Sequence, residues 1–389
     1  MIRWPEGLEP EAFLRDHWQK APLLIPGGLS DLAGLPTPEE LAGLACEAEV
    51  ESRIVSGDLD SGWTIRHGPF GEQEFLDLPE TGWTLLVQDV DKHLPSVASL
   101  IGDFGFIPRW RLDDLMISFA VPGGSVGPHV DAYDVFLIQV TGARIWELDP
   151  HPQHLECRED SSLRVLRRFR PAACHRLEPG DVLYLPPGVA HFGRSMVPAM
   201  TCSVGFRAPS VSELLAAASR MCSGTSADSV YTDPDLAPTE SDGSRISGAA
   251  LIRLRRLLQS ATDITGARLQ ELLGRLATEG KPWLVPAPLD EVPQKDEILQ
   301  RLAAGDSLER YPGSRFAWSA DESGCFLFVD GNAWELPPSA CGACRALADG
   351  TRLDGRTLSG EPADLAALLC DLLANGSLVW TDQPPGSGG

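Results

Sequence analysis

Eight short apolar runs in the first 210 residues, most of them closed by glycine or proline, constrain the fold of this chain more than any other feature. They read SRIVSG, GWTIRHG, WTLLVQDV, LMISFAVPGG, DVFLIQVTG, RIWELDP, DVLYLPPG and MTCSVGFRAP. Many short strands punctuated in this way predict a β-sandwich or barrel. The 389 residues, 43% of them hydrophobic and 10 of them Trp, supply enough apolar surface for such a core and for two or three domains. Helical entries lie around the strands. In TPEELAGLACEAEV, Thr37 followed by Glu40 makes a capping box, in which each side chain satisfies a backbone N–H that the helix leaves unpaired.

The texture changes at Ser210. SVSELLAAASRMC is read as a helix opened by a second capping box, Ser210 with Glu213, and the acidic YTDPDLAPTESDGS after it as a loop. ISGAALIRLRRLLQS and ITGARLQELLGRLATEG carry leucines at helical spacing. Two amphipathic helices without strands form no core of their own, so they pack on the first domain or on a second copy of the chain. The second copy would make 210–284 a helical dimerisation region. The proline-rich KPWLVPAPLDEVP marks the next boundary. Beyond it come a helix (KDEILQRLAAG), two strands (RFAWSA and CFLFVDGNAWELP), helices around CRALADG and ADLAALLCDLLANG, and a last strand, SLVW. That order suits a small winged-helix domain over 285–389, which leaves 1–209 as the barrel domain. From Lys281 onward 8 Lys or Arg stand against 16 Asp or Glu, a net charge of −8. A DNA-reading winged helix is basic, so this one is read as architectural.

The formal net charge of the whole chain is −23, which argues against direct nucleic-acid binding and favours a basic partner. No apolar run approaches the roughly 20 residues of a membrane span, and the opening MIRWPEGLEPEAF lacks a signal-peptide core. A soluble, cytoplasmic protein is the expectation. Nine scattered cysteines suit free thiols in a reducing compartment. Cys341 and Cys344 in CGAC have the spacing of a redox or zinc motif, but no second CxxC or CxxH accompanies them.

Within the barrel domain, GPHVDAYDVFLIQ reads as a buried strand that opens with two misplaced residues. His129 and Asp131 are two apart and so share one face, where a metal can use both if a third ligand comes from elsewhere. PGDVLYLPPGVAHFG supplies one. Gly180, Pro186, Gly188 and His191 follow the spacing G, five residues, P-x-G, two residues, H, which resembles the second cupin motif; Gly123, followed after five residues by His129, resembles the first. The resemblance puts His191 on a strand facing His129 and Asp131 across a double-stranded β-helix. Asp131 stands where many cupins place a second histidine, and Val135 and Phe136 occupy the neighbourhood of the usual glutamate. Two histidines and one carboxylate leave three positions open on a metal, the arrangement of non-haem Fe(II) sites that use O2; zinc would accept the same ligands.

Two open positions suit a chelating 2-oxoacid and the third suits O2. For 2-oxoglutarate the second carboxylate needs a buried cation, and Arg144, thirteen residues after Asp131 on a short apolar strand, can bind it bidentately. Ser118, on the preceding strand, can add a hydroxyl.

Taken together, WRLDDLMISFAVPGGSVGPHVDAYDVFLIQVTGARIWEL, LEPGDVLYLPPGVAHFG and SVGFRAP resemble the JmjC-type bacterial ribosomal oxygenases, in particular those that hydroxylate an arginine of the sixteenth large-subunit ribosomal protein. The resemblance runs from FLRDHWQKAPLLIPGG to the carboxy-terminal region, strongest over 110–209 and weak after Asp242. It implies a mixed α and β chain, a JmjC barrel followed by a helical dimerisation region and a winged helix. Carried over, it makes His129, Asp131 and His191 the Fe(II) ligands and catalytic centre, with Arg144 and Ser118 as 2-oxoglutarate contacts. It also makes Asp114, Met116, Tyr133 and Ser203 a pocket for the substrate arginine. Chemistry agrees with the last assignment in part, since a carboxylate pairs with a guanidinium while Met116 and Tyr133 can flank its stem. The expected reaction is β-carbon hydroxylation of an arginine on a basic ribosomal protein, by a homodimer. Two other readings remain at this stage: hydroxylation of a ribosomal-protein histidine, and, in a different class, a non-catalytic acidic dimeric scaffold on the ribosome.

Overall fold

The computed structural model describes residues 2–222, 232 and 248–381, except 160, 162, 263, 265, 290, 292–293, 323, 351 and 355–362. The acidic stretch read as a loop lies outside these residues, apart from Thr232. The chain divides into two compact units, Met1–Ala208 and Pro209–Gly389.

Among the described residues of the first unit the strands are, in order, β1 Leu23–Ile25, β2 Ser52–Asp58, β3 Gly62–His67, β4 Trp83–Val87, β5 Leu112–Ala120, β6 His129–Val130, β7 Asp134–Thr141, β8 Arg144–Asp149, β9 Ala173–Leu177, β10 Val182–Leu185, β11 Ala190–Ser195 and β12 Ala199–Phe206. They form two antiparallel sheets, one of eight strands in the order β1-β10-β7-β12-β5-β4-β2-β3 and one of four in the order β6-β11-β8-β9. Apolar side chains of both sheets meet between them: Val135 and Leu137 from β7 and Leu183 and Leu185 from β10 pack with Trp146 and Leu148 from β8. Alternate residues of the large sheet point the other way. Phe136, Ile138 and Tyr184 join Phe13, Phe104 and Phe206 in a second core beneath the amino-terminal helices. Covered on both faces, β7 is buried along its length except at Thr141, which is why its sequence is mainly apolar, with Asp134 and Gln139 as the buried polar exceptions.

Two readings in this unit need correcting, one of a strand and one of a helix. GPHVDAYDVFLIQ is not one strand. The chain leaves the four-stranded sheet after Val130, turns through Asp131–Tyr133 and enters the eight-stranded sheet at Asp134, so Phe136 faces away from the barrel interior. The turn is held by the Gly188 N–H, which donates to the Asp131 carbonyl (2.9 Å) from a backbone with φ of +86°, a conformation only glycine adopts cheaply. The helix in TPEELAGLACEAEV has its capping box at Thr37 and Glu40 but stops at Leu44.

In the second unit the helix Val211–Cys222 carries the capping box of Ser210 and Glu213, with both hydrogen bonds formed (2.7 and 3.2 Å). Helices Gly248–Thr262, Ala267–Thr278 and Lys295–Ala304 follow, then helices Cys341–Asp349 and Ala363–Ala374 among the strands β13 Leu308–Arg310, β14 Phe316–Ala320, β15 Cys325–Val329, β16 Asn332–Leu336 and β17 Leu378–Trp380. CFLFVDGNAWELP, read as one strand, is a hairpin folded at Asp330 and Gly331. Both have positive φ, which Asp-Gly turns favour. The leucine-rich helices do not depend only on the first domain or a second copy. Gly274 of the helix Ala267–Thr278 lies so close to the Phe328 ring on β15 that a Cβ there would sit 2.3 Å from it, and Leu272 packs with Ala217 and Ala218.

Candidate active site

Backbone register builds the centre of the barrel. β11 pairs with β6 so that His191 is directly opposite His129, and the two imidazoles stand with ring centroids 4.2 Å apart. Asp131 follows β6, with its Oδ2 3.8 Å from His129 Nε2 and 3.6 Å from His191 Nε2. Among the described residues these are the one group of three whose donor atoms lie close enough together, within 4.8 Å, to hold an ion. Each histidine is oriented by the chain itself: Nδ1 of His129 meets the Gly127 carbonyl at 2.9 Å, and Nδ1 of His191 meets the Val189 carbonyl at 3.0 Å. A carbonyl only accepts, so Nδ1 carries the proton and the Nε2 lone pair faces Asp131. Burial, reinforced by the neighbouring His129, pushes His191 down to about 4, which keeps it neutral and able to ligate. The donor set therefore fits a divalent metal, with one carboxylate and two neutral imidazoles on one side and open cavity on the other.

That cavity measures about 780 Å³. All nine side chains singled out from the sequence line it: His129, Asp131, His191, Ser118, Arg144, Asp114, Met116, Tyr133 and Ser203. Alternation explains the grouping. Asp114, Met116 and Ser118 are two apart on β5 and share the inner face, and Ser203 on β12 is the register partner of Met116. Arg144 is 6% exposed, and burial lowers it to about 10, so it remains a cation at neutral pH. Its Nη1 donates to Ser118 Oγ and its Nε to Ser195 Oγ, both at 3.3 Å, while Nη2 is buried with no hydrogen-bond partner among the described residues. A buried guanidinium with no carboxylate and an unused N–H fits an anionic group entering from the cavity.

At the outer end, Gln88, with its amide turned so that both ends are satisfied, donates to Asp114 Oδ2 (2.7 Å) and accepts from Arg53 (3.2 Å). Tyr133 as a residue is 41% exposed, yet burial of its phenol and the Asp131 and Asp114 carboxylates push that group up, so it stays protonated.

Sequence reasoning missed Ser195, Trp146, Gln88 and Arg53. Even spacing was a usable signal for two of them: Ser195 is four from His191 and Trp146 is two from Arg144, so each shares a barrel face with a residue already identified. Trp146 lies beside both Arg144 and His191, over Gly193, where a Cβ would meet the indole at 2.7 Å. The CGAC pair is elsewhere. Cys344 sits 3.6 Å from the buried Cys325 thiol, in the core of the second unit.

Comparison with known proteins agrees along the whole chain. Residues 99–214 match the JmjC domain family and residues 259–379 the ROXA-like winged helix. The chain is 35% identical to the ribosomal protein uL16 3-hydroxylase of Escherichia coli K12 over 378 residues, 96% of this chain and 97% of that one. A probable ribosomal oxygenase of Haemophilus influenzae is 38% identical over 61% of this chain and 57% of its own. Among solved structures, the E. coli ribosomal oxygenase YcfD in complex with cobalt and 2-oxoglutarate superposes with a TM-score of 0.82 at 33% identity, covering 97% of this chain and all of that one.

Proposed function

The chain belongs to the JmjC-domain ribosomal oxygenases, and from that premise we propose that it is an Fe(II)- and 2-oxoglutarate-dependent dioxygenase that hydroxylates the β-carbon of an arginine in a large-subunit ribosomal protein. One observation carries the co-substrate: the unpaired, buried Arg144 guanidinium opens into the same cavity as His129, Asp131 and His191. When bound by those three residues, Fe(II) couples the conversion of 2-oxoglutarate and O2 to succinate and CO2 with oxygen insertion into a C–H bond. Arg144 and Ser118 hold the distal carboxylate and so fix which end of the 2-oxoacid reaches the ligand set. Asp114 pairs with the substrate guanidinium, Met116 and Tyr133 flank its stem, and Ser203 supplies a hydroxyl beside Met116. The phenol of Tyr133, kept protonated, can donate to the Asp131 carboxylate instead of repelling it. A non-catalytic scaffold would leave the buried Arg144 charge without a use.

Mass spectrometry of ribosomal proteins from cells with and without the enzyme tests the reading, since a gain of one oxygen names both the protein and the residue. Asp114 separates arginine from histidine as the target. In Asp114→Asn the shape is kept and the charge is lost, so an arginine peptide should bind more weakly by about 1.5–3 kcal/mol, the range for charged hydrogen bonds. Peptide-independent 2-oxoglutarate turnover should be spared. A wild type that prefers a histidine peptide over the arginine peptide would overturn the assignment.

The proposal extends to the cytoplasm, where ribosomal proteins are made, and to a homodimer; among the described residues no helix is long and apolar enough to cross a membrane. The domain division at 209/210 and 284/285 is part of the same reading. The helix Gly248–Thr262 exposes Leu251, Ile252 and Leu254, and the neighbouring Ala267–Thr278 exposes Leu269, an apolar face that a second copy would cover. Light scattering at micromolar concentration should give twice the monomer mass, and a monomer mass would remove the dimer.

A further inference from the structure

The charge of −23 is not spread evenly. Residues 163–176, LRVLRRFRPAACHR, hold five arginines and no acidic residue. Arg176 pairs with Glu178 (3.3 Å), but Arg164, Arg167, Arg168 and Arg170 are exposed, and among the described residues their side chains make no ion pair or hydrogen bond. Four guanidiniums within seven residues repel one another, and in a chain with 55 Asp or Glu their lack of partners is conspicuous.

These arginines ride on a pinned segment. Val165 and Leu166 between them are buried; the Leu166 N–H donates to the Pro128 carbonyl (2.7 Å), Arg158 N–H to the Val165 carbonyl and Arg167 N–H to the Glu156 carbonyl (both 2.8 Å). Pro128 immediately precedes His129, and Val165 lies so close to Gly127 that a Cβ there would be 2.9 Å away. Arg164 itself lines the active-site cavity. The cationic ridge is thus fixed to the strand that carries the site.

Resting on the proposed reaction, we infer that this ridge binds the phosphate backbone of RNA that arrives with the ribosomal protein, so that the enzyme takes its substrate as an RNA-bound protein. A basic ribosomal protein alone is repelled by such a rim. An acidic protein partner fits less well, because 163–176 contains no exposed large apolar side chain to anchor an interface, Phe169 being packed on Phe192. Phosphate contacts need only charge and the planar guanidinium fork. The acidic remainder of the surface confines the contact to this ridge, which revises the expectation that the chain avoids nucleic acid altogether.

The test uses the full chain and a fluorescent single-stranded RNA 20-mer, read by anisotropy across a salt series. Four phosphate contacts give a log–log salt slope of about −3, and Arg167→Glu/Arg168→Glu/Arg170→Glu should weaken binding at least tenfold. The glutamine triple variant, which cannot introduce repulsion, should weaken it in the same direction. Neither variant should slow hydroxylation of a free peptide, and both should slow hydroxylation of the RNA-bound ribosomal protein. RNA affinity unchanged in both variants overturns the inference, and so does binding of a poly-glutamate peptide in preference to RNA. Because anisotropy needs no turnover, a failure to hydroxylate any peptide counts against the proposed reaction and leaves the ridge to be judged on binding.

Discussion

Asp131→Ala should abolish 2-oxoglutarate turnover and leave the barrel folded, and His129→Ala should do the same. In the proposed site three side chains supply the protein donors found among the described residues, and Asp131 is the one carboxylate among them, so its loss should remove both a ligand and the countercharge for a divalent ion. The fold has no comparable stake in it: the Asp131 side chain is 20% exposed, and the turn it occupies is held through its backbone carbonyl by Gly188. Circular dichroism and the melting temperature without metal should match wild type, while the rise in melting temperature on adding Mn(II) or Co(II) disappears. Near-normal iron-dependent turnover in either variant would mean that the ligands lie elsewhere.

Arg144→Met should raise the dissociation constant for 2-oxoglutarate about 10- to 150-fold, equivalent to about 1.5–3 kcal/mol for charged hydrogen bonds. Methionine fills much of the same space against Trp146 but offers no donor. The sign of the effect on stability is the distinguishing feature. A buried cation with no carboxylate partner carries a desolvation penalty, so removing it should leave the unliganded protein at least as stable as before. Saturating 2-oxoglutarate should then raise the melting temperature of wild type and hardly that of the variant, with metal binding retained in both. Unchanged affinity would assign the carboxylate to another residue.

Much of this was legible in the sequence because barrels with two covered faces write themselves as short apolar runs with turns between them. The runs at 52–58, 83–87, 134–141 and 199–206 are each a strand. The histidine spacing marked the site, since a G-x5-P-x-G-x2-H run fixes both the turn and the residue that emerges from it. What failed was local. β1, β9 and β13 are short or polar and carry no periodic signal, and the Asp330–Gly331 turn, a hairpin signal between two apolar runs, was passed over. Arg53 and Gln88 could be reached only through register between strands distant in sequence. The four free arginines were masked by an overall charge of the opposite sign, because a sum over 389 residues says nothing about fourteen of them.

Both metal-facing imidazoles take their proton position from a main-chain carbonyl two residues earlier, at Gly127 and Val189. Substitution at neighbouring side chains does not remove a main-chain oxygen, so no single nearby exchange can reverse the tautomer while the strands keep their course. The chemistry at the centre is thereby insulated from genetic drift in its surroundings. Side chains around the rim can therefore change without altering which imidazole nitrogen faces Asp131, provided the packing of Val165 against Gly127 is kept.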